Sequence, residues 1–250
     1  MSFGATVLLA IVIGFSGAFV QGFSGFGVGI FCMAVLSLFL EFADVDQIVF
    51  FVAAFCIWTV FYRLRRSVPW RRVPWVLLGL AVGVPIGVGL RPLIPEALGK
   101  QVLGTIIALL SIVRLAQTRN EVAHVEAPPG PVESVPGFLG GILGGWGNMS
   151  GPPLIYWAHH RLAPTGARAI LAAVFAAVTF AKLVSLTAYG YWRPAALAGL
   201  CAGPAALAGA WVGDRVAHRT NPRIFARIIW LLFLALGILL VATASTGVDG

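Results

Sequence analysis

Charge is what this chain has least of: 10% of its 250 residues are Asp, Glu, Lys or Arg, against 59% hydrophobic. A soluble core of this length does not need so much apolar sequence, and one membrane domain over 1–250 is expected instead. Acidic side chains are the scarcest, nine in all, and every one is expected in a loop, a central linker or the tail. That argues against a carboxylate proton relay, a carboxylate cation site, and a hydrolase built on an acid/base pair. Cys32, Cys56 and Cys201 stand far apart with no C-x-x-C or Cys/His spacing. They read as small core residues rather than metal or redox groups. No metal, cofactor or enzyme activity is expected; neither glycine-rich segment fits a G-x-S-x-G nucleophile elbow. Gly25-x-Gly27-x-Gly29 partly mimics a nucleotide fingerprint but lacks a βαβ context. The start, Met1-Ser2-Phe3-Gly4, has no basic n-region, so the first apolar stretch is expected to belong to the mature protein.

What the chain does have is long apolar runs, at about 4–40, 45–62, 73–90, 98–117, 135–158, 168–188, 195–213 and 224–243. A bilayer-spanning helix needs about 20 residues. The first run is far longer: as one straight helix it would measure about 55 Å, against about 30 Å of hydrocarbon. It must therefore bend, and Gln21 to Gly29 is the glycine-rich place to do so. The run at 135–158 has its own break, followed by Pro152-Pro153, which a continuous helix would not tolerate. A polar linker, 118–133, separates repeat 1 (about 1–117) from repeat 2 (about 134–250). Each half reads as a broken segment followed by three ordinary spans.

The net charge of +8 sits in short loops between spans, which points to membrane orientation and not to nucleic-acid binding. Place the Arg63–Arg72 loop in the cytoplasm, and let each broken segment return to its own side. Thirteen basic residues then fall inside, and only Arg91, Lys100 and Arg193 fall outside. If each broken segment crosses once, the tally becomes 8 against 8. The positive-inside rule favours the first arrangement. The expected fold is an all-α integral membrane protein of two inverted-topology repeats, each a broken or re-entrant hairpin followed by three transmembrane helices.

The breaks also supply the expected chemistry. Unwound backbone at membrane depth must be buried in protein or line a cavity, and a helix start offers free N–H groups and partial positive charge. The second helix of each break is expected to begin near Phe26 and near Pro152, and the two starts to face each other at mid-membrane as an anion cradle. Gln21, Ser24, Asn148 and Ser150 are the candidate polar ligands, and Gly22, Gly25, Gly27, Gly147 and Gly151 the positions where backbone approaches the substrate. Lys182, the one charge well inside a span, either neutralises the anion or snorkels to the interface. Tyr156, Trp157, His159 and His160 line a pathway or form an interfacial belt, and Trp70, Trp75 and Trp192 read as belt residues.

The segments Gln21–Gly27 and Gly144–Pro153 resemble the paired motifs of the sulfite exporter TauE/SafE family, also called the 4-toluene sulfonate uptake permease family. The second, running on into Leu154, is the more specific, and the resemblance covers essentially the whole chain. It implies a multi-pass transporter of the bacterial inner membrane that moves sulfite, sulfonates or sulfoacetate, usually outward. Asn148 stands where glycine is expected in the motif; Asn tolerates left-handed backbone better than other non-glycine residues. The expected partners are a small anion and the lipid bilayer, with a homo-oligomer left open. A channel-like anion conductor and a non-transporting membrane binding or assembly factor are the alternatives.

Overall fold

The structure, a computed structural model, describes residues 2–24, 27–116, 128–217 and 222–245. Those residues form ten α-helices and no strand. The first half contains α1 (Phe3–Ser24), α2 (Val28–Leu36), α3 (Phe42–Leu64), α4 (Val73–Leu90) and α5 (Glu96–Ala116). The second contains α6 (Ser134–Gly147), α7 (Gly151–Arg161), α8 (Pro164–Tyr189), α9 (Ala195–Ala217) and α10 (Pro222–Ser245). In each half a broken segment precedes three long helices. Seven helices are long and apolar enough to cross a membrane, so the chain is a multi-pass membrane protein. The 14-residue α6 and the 11-residue α7 are too short to do so.

Two compact units divide these helices, and neither coincides with a sequence half. One takes Met1–Ala53, Ile94–Asn120 and Arg193–Gly250; the other takes Ala54–Leu93 and Glu121–Trp192. In the first unit α1 packs along α9, with Gly209 and Gly213 against the carbonyls of Phe15 and Phe19, and Gly22 against that of Ala210. Gly14 meets Ala202 eight residues before the Gly22–Ala210 contact, so the two helices run parallel. Gly104 of α5 and Gly237 of α10 face one another. In the second unit Gly79, Gly83 and Gly87 of α4 lie against the carbonyls of Ser134, Phe138 and Ile142 of α6. The four-residue spacing repeats a bare helix face at each turn. Lipid gives no hydrophobic drive between helices, so close backbone contact at small residues supplies the adhesion.

Polar contacts show which turns share an end of each unit. In the first, Arg193 ahead of α9 pairs with Glu41 at 2.8 Å and Asp44 at 2.6 Å. The Phe42 N–H donates to Glu96 Oε1 at 3.2 Å. The starts of α3, α5 and α9 therefore lie together. In the second, Arg72 ahead of α4 pairs with Glu133 ahead of α6, and Arg161 at the end of α7 lines the same cavity as Arg72.

Two expectations need correction. Acidic residues do enter the helices: Asp44 lies in the first turn of α3, and Asp46, two residues further, is fully buried beside Gln47. Carboxylates suit the positive end of a helix, so α3 starts before its apolar run does. Cys32 and Cys56 are buried as expected, but Cys201 is exposed on α9.

Candidate functional site

Both glycine-rich segments break the helix they sit in, and both close as hairpins. At the first, Gly27 adopts φ +111°, a conformation glycine reaches without the clash a Cβ would bring. α2 then folds back along α1: Gly17 sits against Cys32, and the Cys32 thiol donates to the Ile13 carbonyl at 3.5 Å. Gln21 is buried, and its Oε1 accepts the first N–H of α2, that of Val28, at 3.3 Å. Gln21 thus caps the hairpin from within through the oxygen of its amide, whereas sequence reasoning assigned it to an anion as a donor. Gly22 faces α9, a packing position. Gly25, Phe26 and the Ser24 side chain lie outside the described residues.

The first break also differs from a half-helix end. With 22 residues, α1 is about 33 Å long, enough to cross the hydrocarbon unaided. The second break comes after the 14 residues of α6, about 21 Å from that helix's start.

At the second break Asn148 carries φ 55° and ψ 28°, the left-handed conformation its amide tolerates. Its N–H bonds to the Gly144 carbonyl at 3.1 Å, and the Met149 N–H bonds to that of Leu143 at 3.2 Å. The Asn148–Gly144 bond is the five-to-one closure of an αL cap, with Asn in the usual glycine place. Gly147 is the last, buried residue of α6. α7 folds back on α6, with Gly140 against Leu154 and Gly144 against Ser150.

Lys182 of α8 completes this break. Its side chain is 1% exposed, and its Nζ donates to the Gly144 carbonyl at 3.1 Å. The snorkelling alternative therefore fails: the cation sits at the C-terminal end of α6, where helix partial charge is negative. Ser150, almost buried, occupies the N-cap of α7 without a side-chain capping bond. Gly151 is the first residue of that helix. Pro152 and Pro153 have no N–H, so the donors at this helix start are those of Ser150 and Gly151. Negative partial charge at the end of α6 is thus countered by Lys182, while the positive start of α7 keeps two backbone donors and a hydroxyl. Further along α7, Trp157 is buried while Tyr156 and His159 are exposed; the ring centroids of Tyr156 and His160 lie 4.2 Å apart, with the planes tilted by 57°.

Sequence reasoning missed the carbonyl side of this break. The pairing of Lys182 with Gly144 spans 38 residues and two helices, and a lone intramembrane lysine was its only signal.

The arrangement suits recognition of a small anion by fixed dipoles and one cation, and no group of three His, Cys, Asp or Glu residues that would hold a metal occurs among the described residues. No curated protein and no solved structure matches the chain. The family model described as sulfite exporter TauE/SafE matches residues 9–240, a family of membrane transporters of sulfur anions, and on this match, with its seven span-length helices and its two glycine-rich hairpins, the chain belongs to the sulfite exporter TauE/SafE family.

Proposed function

We propose that the protein is a secondary transporter that exports a small sulfur-containing anion, of the sulfite, sulfonate or sulfoacetate class, across the bacterial inner membrane. The anion is held at glycine-rich half-helix ends, and the second break carries the charge. The observation behind this reading is the buried Lys182 bonded to the end of α6, which leaves Ser150, Gly151 and the positive start of α7 to a negative guest. Export suits such a site: leaving a negative-inside cell is electrically downhill by about 2.3 kcal/mol per charge per 100 mV, and no dedicated coupling residue is required.

The inverted repeat is part of the same proposal. It needs each broken segment to return to the side it came from. Two features support that: the start of α6 and the end of α7 share one end of their unit, and α2 runs back along an α1 that begins at the Arg193 end of its own. Had each segment crossed once, Arg193 and Glu41 would fall on opposite faces of the membrane, yet they form an ion pair. Single cysteines at positions 71 and 161 should be labelled from the same face of oriented vesicles, since a broken segment that crossed once would put them on opposite faces; labelling from opposite faces would overturn the repeat.

The site itself is tested with a thermal-shift panel on detergent-purified protein. Ligand binding to the folded state raises apparent stability by mass action. Sulfur oxyanions should raise the midpoint above chloride or acetate, and Lys182→Met should abolish that preference. A Lys182→Met protein with the full anion response would remove the second break from consideration.

A further inference from the structure

An open cavity of about 740 Å³ lies at the end of the second unit where α4, α7 and α8 begin or finish. It is lined by Arg72, Arg161, Ser67, Thr165 and Gly166, with Pro128 and Pro129 of the linker. It sits ten residues along α7 from the break, about 15 Å of helix. Its chemistry is that of an oxyanion receptor. Two arginines line it, and guanidinium geometry matches sulfur and phosphorus oxyanions through paired N–H donors. Ser67 and Thr165 add hydroxyls. α8 starts here at Pro164 with no side-chain cap, so Thr165 and Gly166, which line the cavity, carry N–H groups without intrahelical partners.

The cavity also has a built-in competitor. Arg72 is 9% exposed and bonded to Glu133, itself 5% exposed. The second carboxylate oxygen of Glu133 is buried with no hydrogen-bond partner among the described residues, an expensive state for an ionised carboxylate. The charged groups that act on Glu133 are Arg72 and, more weakly, Arg161. Burial pushes its carboxyl above the ordinary value, against the pull of both. Protonation of Glu133 removes the negative charge that pairs with Arg72.

We propose that this cavity is a second oxyanion site, in which Arg161, Thr165 and the first amides of α8 hold a small tetrahedral oxyanion that competes with Glu133 for Arg72. Anion binding and protonation of Glu133 then favour each other, because two ligands of one cluster shift one another's affinity reciprocally. The site strengthens as pH falls.

The probe is sulfate, which does not attack thiol reagents. In full-length, detergent-purified protein carrying Cys201→Ala and Ala163→Cys, at an exposed position that also lines the cavity, the labelling rate by a charged methanethiosulfonate reads occupancy of the cavity directly. Sulfate at about four times its dissociation constant should slow labelling about fivefold by simple occupancy, and sodium chloride of equal ionic strength should not. Arg161→Gln, at a half-buried helix end, should remove the protection without changing the melting midpoint. Glu133→Gln should give at neutral pH the protection that the unsubstituted carboxyl allows only at lower pH. Adding Lys182→Met should leave protection intact, which separates this site from the break. Protection no better with sulfate than with chloride, or unchanged in Arg161→Gln, overturns the proposal. So does protection that arises only with anionic phospholipid and no soluble anion, which would hand the cavity to a lipid headgroup.

Discussion

Gln21 and Lys182 each tie down one end of a helical break, and they act on opposite poles. Gln21 offers an oxygen to the positive start of α2; Lys182 offers a cation to the negative end of α6. The first break thereby satisfies from within one N–H donor at the positive start of α2. The second cancels the pole that would repel an anion and leaves the attracting one open. Two segments that look alike as glycine-rich interruptions are thus unequal under the proposed function, and the difference lies in which pole the neighbouring side chain serves. The backbone repeats the contrast. Gly27 at φ +111° needs glycine, while the φ of 55° at position 148 is met by Asn.

The largest expected effect is at Lys182. Lys182→Met should abolish anion-dependent stabilisation and transport, and lose about 1.5–3 kcal/mol, the worth of a hydrogen bond to a charged group. Equal loss of anion response in Gln21→Leu would break the comparison. Gln21→Leu should instead destabilise by about 1–3 kcal/mol, because it strands the buried Val28 N–H, while the folded fraction keeps its preference for sulfur oxyanions. Denaturation midpoints with and without sulfite separate the two. Next come the backbone substitutions. Gly27→Ala should cost about 1–2 kcal/mol for a Cβ in left-handed backbone, whereas Asn148→Gly should change stability by only a few tenths of a kcal/mol. A costly Asn148→Gly would mean that the amide, and not the turn, is what position 148 requires. The smallest stability effect belongs to Ser150→Ala, within about 0.5 kcal/mol, since its hydroxyl makes no capping bond. Its anion-induced shift should nonetheless shrink, which assigns the hydroxyl to the ligand.

Much of the helix layout was legible in the sequence. The apolar runs at 73–90 and 98–117 became α4 and α5 almost to the residue, because hydrophobic length is set by the bilayer and needs no tertiary information. The two breaks were legible because glycine clusters and Pro152-Pro153 forbid continuous helix. Gly22, read from the sequence as a substrate-approach position, packs against α9. Glycine serves both sharp turns and close helix contacts, and only the approach of the Ala210 carbonyl separates the two uses. Asp46 was misplaced because hydropathy locates apolar stretches and overlooks the carboxylates that a helix start accepts.

The sequence by itself determined that this is a multi-pass helical membrane protein with two interrupted segments and a place in a sulfur-anion transporter family. Those properties follow from composition, run length and local backbone chemistry, all of which act over a few residues. The tertiary structure decided which side chain meets which helix end: Gln21 on α2, Lys182 on α6, Glu133 on Arg72. Helix dipoles and buried charges interact over a few ångströms in space, and residues 38 and 61 positions apart reach that distance only after the helices pack.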